Sequence, residues 1–312
     1  MTFDSVLYVP SVQQTQWVTE LLPWWSPAQL MICGRRLLDF CLERTEDFRA
    51  CNIEILDWKY SERLANEYSA SKIRPYAFTY TRATGPMPRG LDDLVACGQG
   101  ILASKMPNGL AVAWGLCLSG HMPEEVTLSP VSPEDCRSTP MGFYLWLDGK
   151  WMQIRPIGVA LHDVKTWHKV SMAVLHTPGK FSFPCYSAEE GVYLGRNVVI
   201  EHGAEITGPV LLADNTWIGR NVQLEGDVIV SHGAVVGEGT RLKKTVVGAN
   251  TYIGHALDLE NKIVAGSRII DAETGAWTDL EEPGLARYME WGLGWLAPIW
   301  RFLRGRSHGR NS

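Results

Sequence analysis

Residues 191–254 read GVYLGRNVVIEHGAEITGPVLLADNTWIGRNVQLEGDVIVSHGAVVGEGTRLKKTVVGANTYIG. In this stretch a large aliphatic residue recurs at every sixth position, nine times in succession: Leu194, Ile200, Ile206, Leu212, Ile218, Leu224, Val230, Val236 and Leu242. Four places after each of these comes a small or β-branched residue, from Val198 to Val246. A five-residue step to Val247 then restarts the pattern, with Ile253 six further on.

A period of six excludes the two common amphipathic patterns, since a helix needs a period of 3.6 and an isolated strand a period of 2. Repeated hexapeptides instead predict a left-handed parallel β-helix, in which each hexapeptide is one flat side of a triangular prism. Three hexapeptides close one coil, and stacked coils hydrogen-bond strand over strand. We therefore expect a β-helix over residues 191–270. Its run 194–246 should form about three coils, roughly 14 Å tall, with all the aliphatic residues in one core.

The composition is that of an ordinary globular protein, with 46% apolar and 20% charged residues. The net charge of −5 indicates no overall attraction to nucleic acid or to an anionic membrane. No apolar run reaches the length of about 18 residues that a membrane span needs. The seven cysteines include no CxxC pair, and residues 1–15 do not read as a signal peptide. These features favour a cytoplasmic protein with reduced thiols.

The first 160 residues alternate between strand-like and helix-like segments. Strands are predicted at Ser5–Pro10, Asn52–Trp58, Ala77–Tyr80 and Leu110–Leu118, a hairpin around Asp148–Gly149, and helices at Arg36–Glu46, Glu62–Tyr68 and Leu91–Ser104. A βαβα order is typical of an open α/β sheet, and continuous apolar runs are typical of its buried parallel strands. The expected organisation is an α/β domain over 1–160, a linker helix and loop over 161–190, the β-helix over 191–270, and a tail over 285–306.

Several stretches, in this order, are similar to segments of the sugar-1-phosphate nucleotidyltransferases, the pyrophosphorylases that make nucleotide sugars. They are SPAQLMICGRRLL at 26–38, NIEILD at 52–57, the helix and strand at Gly90–Ser104 and Gly109–Leu118, and DVKTWHKVS at 163–171. That family also places a hexapeptide β-helix behind an α/β domain. The resemblance covers most of Val6–Ala265. It implies a truncated, Rossmann-like nucleotidyltransferase-type domain followed by the β-helix.

The residues that would carry the family's chemistry are replaced. The loop after the first strand, Pro10–Trp17, has neither the glycines nor the arginine that hold a nucleoside triphosphate. Ala28 stands in place of a lysine, and Leu116 in place of the aspartate that holds magnesium. Because phosphoryl-type transfer depends on positioned cations, the sequence predicts a catalytically degenerate protein. It would bind a sugar nucleotide or a partner enzyme in surface-polysaccharide or cell-wall metabolism.

Two alternatives stay open. The first is an active sugar-1-phosphate nucleotidyltransferase with substitute residues, which would need Mg²⁺; otherwise no cofactor and no metal site is expected. Arg35 and Arg36 are candidates for binding a phosphate, whichever of these readings holds. The second is a hexapeptide-repeat acyltransferase, for which His255 is the weak candidate base. His202 and His232 share a repeat position but lie thirty residues apart, so they are expected on different sides of the prism.

The C-terminal segment Leu285–Arg306 combines apolar residues at helical spacing with three tryptophans, Trp291, Trp295 and Trp300, and several arginines. An amphipathic helix of this kind suits a membrane interface. It also suits docking on the β-helix or on a neighbouring subunit, since the end of a repeat stack needs a cap. We expect docking, and a homo-oligomer or a partner protein held through the β-helix and tail, with peripheral membrane contact through 285–310 as the alternative.

Overall fold

A computed structural model describes residues 5–23, 25–40, 52–57, 77–82, 86–96, 110–118, 127–155, 158–178, 181, 183–282 and 284–289. The chain divides into two compact units. Unit 1 comprises Met1–Val170 and Gly179–Phe181, and unit 2 comprises Ser171–Pro178 and Ser182–Ser312. The predicted segments 41–46, 62–68, 97–104 and 290–306 lie outside the described residues.

The strands of unit 1 are β1 (Ser5–Val9), β2 (Met31–Ile32), β3 (Arg35–Arg36), β4 (Asn52–Asp57), β5 (Ala77–Arg82), β6 (Leu110–Trp114), β7 (Cys117–Leu118), β8 (Thr127–Pro130), β9 (Gly142–Leu147), β10 (Lys150–Arg155) and β11 (Val159–Ala160). The helices with bounds inside the described ranges are α1 (Gln16–Leu21), α2 (Leu91–Ala96), α3 (Pro133–Arg137) and α4 (Val164–Leu175), and a further helix starts at residue 37. Single 3-10 turns lie at Gln13–Thr15 and Pro27–Gln29.

Seven of these strands form one sheet in the order β5-β4-β1-β6-β9-β10-β8. The first four are parallel neighbours, and β9, β10 and β8 continue the sheet in antiparallel pairing. Alternate side chains enter two buried clusters on opposite faces, for example Val6 and Tyr8 on one face and Leu7 and Val9 on the other. The predicted α/β domain with a parallel sheet is therefore confirmed, as is the hairpin around Asp148–Gly149, which joins β9 to β10.

The run Leu110–Leu118, predicted as one strand, is in fact two. Gly115 has a φ of +72°, which turns the chain out of the sheet after β6. β7 then pairs with β11 in a separate two-stranded sheet. A hairpin that the sequence reasoning missed joins β2 to β3 through Cys33–Gly34, both at positive φ. The predicted helix over 36–46 accordingly begins only at residue 37, after β3.

Helix α4 lies within the segment 161–190, for which a linker helix and loop are predicted, and runs from Val164 to Leu175. Asp163 precedes its first turn, and the Oδ1 atom of Asp163 accepts a hydrogen bond from the Thr166 backbone N–H at 2.6 Å. This bond satisfies a donor at the helix start, and it lowers the pKa of the Asp163 carboxyl below its usual value.

The strands of unit 2 are β12 (Tyr186–Glu189), β13 (Val192–Leu194), β14 (Val199–Ile200), β15 (Glu205–Thr207), β16 (Val210–Leu212), β17 (Trp217–Ile218), β18 (Gln223–Glu225), β19 (Val228–Val230), β20 (Val235–Val236), β21 (Arg241–Lys243), β22 (Val246–Val247), β23 (Thr251–Ile253), β24 (Asp258–Glu260), β25 (Lys262–Ala265), β26 (Arg268–Asp271), β27 (Trp277–Asp279) and β28 (Ala286–Tyr288).

These strands build a three-sided parallel β-helix. Side 1 is formed by β13, β16, β19, β22 and β25, side 2 by β14, β17, β20 and β23, and side 3 by β15, β18, β21 and β24. The hexapeptide β-helix is therefore confirmed. The run 194–246 forms the first three coils, in agreement with the expected number, and a fourth complete coil follows it. Because of the five-residue step after Leu242, the fourth coil lies 17 residues from the third in place of 18 (Arg241 pairs with Asp258).

Six of the nine repeat aliphatics, from Leu212 to Leu242, are 0% exposed and share one core. Leu194 and Ile206 of coil 1 are partly buried against that core. Ile200 is 40% exposed, so the expectation that all nine are buried is wrong at this position. The cause is its place at the end of the stack: β14 is the terminal strand of side 2, whereas β13 has β12 beyond it.

The corners between sides require a left-handed backbone, which asparagine and glycine tolerate best. At the first corner, between sides 1 and 2, Asn197, Asn215, Gly233 and Asn250 all have positive φ. The Asn197 side chain donates to Asn215 Oδ1 at 3.0 Å. A side chain at Gly233 would bring its Cβ to within 2.4 Å of Asn250 Oδ1. The corner sequence is thus dictated both by the backbone and by the coil stacked on it.

The last coil is covered by the chain that follows it. β26 and β27 fold back in antiparallel pairing from β25, and Arg268 binds Asp279 at 2.7 Å while stacking on Trp277. β28 pairs antiparallel with β23, and its Ala286 joins the core. The predicted helix beginning at 285 is therefore wrong over 286–288. Backbone pairing with the free edge of coil 4 outweighs the helical spacing of the side chains.

Replacing Leu224 with alanine should lower the free energy of unfolding by about 2–5 kcal/mol, because the substitution leaves a cavity in a closed core. Ile200→Ala is the matched control, since Ile200 occupies the same repeat position in the half-open first coil and should cost less than about 1.5 kcal/mol. Denaturant unfolding followed by circular dichroism measures both. Equal losses would show that coil 1 is as closed as coil 2.

Candidate functional site

In unit 1 the direction in which strands are added to the sheet reverses at β1. After β1 the chain adds β4 and β5 on one side of β1, and it then adds β6 on the other side. In open α/β sheets, ligands bind outside the carboxyl ends of the strands at such a switch point. We call this place the switch edge. It comprises Pro10–Thr15, which follow β1, and Gly115–Leu116, which follow β6.

The segment after β1 is held tightly. Ser11, Val12 and Thr15 are each 0% exposed. The Thr15 hydroxyl donates to the carbonyl oxygen of Pro10 at 2.9 Å and accepts from the Val12 N–H at 3.0 Å. The backbone N–H of Val12, a donor that a phosphate would need, is thus already bonded within the loop.

The segment after β6 is also filled. Leu116 is 0% exposed, and its N–H points to the Met141 sulfur at 3.2 Å. A Cβ added at Gly115 would lie 2.4 Å from Met141 Cγ, so the methionine occupies the space beside the turn. Trp114 Nε1 and Gln14 Nε2 both donate to the carbonyl oxygen of Thr139, at 3.1 and 3.0 Å. The switch edge is therefore packed with the side chains of this chain.

Two buried carboxylates lie on β4, and sequence reasoning did not single them out. Asp57, 0% exposed, accepts a hydrogen bond from the Ser11 hydroxyl. Glu54, 3% exposed, accepts from Thr81 Oγ1 at 3.1 Å. An acid that ends an apolar strand, as Asp57 ends the stretch from Asn52, is the signal that could have drawn attention to it. The bond between Ser11 and Asp57 fixes the loop after β1, whereas the bond between Thr81 and Glu54 joins β5 to β4.

Arg35 and Arg36, the candidate phosphate ligands, lie on β3 of the hairpin. The Arg35 guanidinium stacks on the Phe40 ring at 4.4 Å. The Arg36 backbone N–H donates to Asp39 Oδ2 at 3.3 Å. Phosphate binding by these arginines stays a prediction.

His255, the candidate base in unit 2, lies at the second corner, between sides 2 and 3. Its Nδ1 accepts the Glu238 backbone N–H at 3.1 Å, and its Nε2 lies 3.4 Å from the Tyr252 hydroxyl. With Nδ1 accepting, the neutral ring carries its proton on Nε2 and keeps no free lone pair. This geometry favours a structural histidine that links coils 3 and 4.

The other two histidines lie at different corners, as expected. Asn221 donates its N–H to the His202 carbonyl, which places His202 at the second corner. Asn250 donates to the His232 carbonyl, which places His232 at the first corner. The 17-residue coil also puts His255 in the column of His202, with Arg220 and Glu238 between them, a relation that a fixed step of 18 does not reveal.

Metal ligands and free thiols are two further features that could carry chemistry. Within the described ranges, no three His, Cys, Asp or Glu side chains form a group that could hold a metal ion. Cys33, Cys117, Cys136 and Cys185 are free thiols, and burial raises the pKa of Cys185 to about 11. No helix among the described segments is long and apolar enough to cross a membrane.

Comparison with known proteins finds no family model and no curated protein that matches the chain.

Leu116→Ala should lower the free energy of unfolding by about 2–5 kcal/mol, because Leu116 is a core residue. The control is Val159→Ala in β11, where the side chain is 51% exposed and the change should stay within about 0.5 kcal/mol. Thermal and denaturant unfolding measure both. A Leu116 variant as stable as the original protein would show that the switch edge is not closely packed around this side chain.

Proposed function

We propose that this protein is a catalytically degenerate, sugar-nucleotidyltransferase-like protein that acts by binding a partner in surface-polysaccharide or cell-wall metabolism. The observation that carries the proposal is the packing of the switch edge, where Leu116 is fully buried and Met141 occupies the space beside Gly115. The family resemblance of the sequence supplies the class of pathway, and the β-helix supplies flat sides for binding.

The chemistry of the edge agrees with a binding role. Transfer of a nucleotidyl group builds up negative charge that cations must neutralise. The described residues of the switch edge, Pro10–Thr15 and Gly115–Leu116, include no positively charged side chain. The neighbouring carboxylate, Asp57, accepts a hydrogen bond from the Ser11 hydroxyl. Between the two predicted ligands, a partner protein is therefore favoured over a sugar nucleotide at this edge.

The acyltransferase alternative has less support. A base must offer a free lone pair to the proton it removes, and the His255 ring offers none in the geometry described. A nucleotidyltransferase with substitute residues would need a cation near Leu116, and the neighbour there is the Met141 thioether.

Turnover assays test the proposal. The purified full chain, with Mg²⁺, each nucleoside triphosphate and a panel of sugar 1-phosphates, should release no pyrophosphate above the protein-free rate. With acetyl-coenzyme A and sugar or amine acceptors it should release no free coenzyme A, measured by chromatography. A sugar-nucleotidyltransferase of known activity is the positive control. Sustained pyrophosphate release that is lost when Met141 is changed to the bulkier tryptophan would place an active site at the switch edge and overturn the proposal.

A further inference from the structure

We draw no further inference here: the strongest candidate, the partly exposed apolar column of Val199, Trp217 and Val235 along side 2 of the β-helix, is a surface for which nothing among the described residues shows what covers it.

Discussion

In unit 2 each strand hydrogen-bonds to the strand of the same side in the next coil, so every residue lies over its equivalent 17 or 18 residues earlier. This register is the constraint on which the other features of the β-helix depend. It collects the aliphatic residues into one core and the left-handed corner positions into columns in which asparagine and glycine predominate. A substitution therefore acts on the coils above and below as much as on its own strand.

Features that depend on residues close in the sequence could be predicted, whereas features that depend on distant residues could not. The six-residue period relates neighbouring hexapeptides, so the β-helix could be recognised from the sequence. The strands of unit 1 are visible as short apolar runs. The break at Gly115 and the hairpin at Cys33–Gly34 were missed, because positive φ at one glycine leaves little trace in an apolar stretch. The strand Ala286–Tyr288 was read as a helix, since its pairing with β23 is a tertiary contact.

At the candidate site, too, the residue types could be read from the sequence but their tertiary contacts could not. The absence of charged side chains from Pro10–Trp17 and from position 116 could be read directly from the chain. That Met141 fills the place beside Gly115 could not, because the two are brought together only by the pairing of β6 with β9. The bonding of His255 was equally hidden: its partner is the backbone of Glu238, one coil away, and a backbone donor has no sequence signature.

Because of this register, the two units differ in how early they can fold during synthesis on the ribosome. Each coil of unit 2 needs only the preceding 17 or 18 residues, so coils can be added one at a time as the chain emerges. Unit 1 closes through contacts such as Gln14 with Thr139, 125 residues apart, and such long loops are slow to close. Its first strands must therefore wait with unsatisfied edges until β6 and β9 have been made, and that interval is when the nascent chain is most exposed to aggregation and most in need of a chaperone.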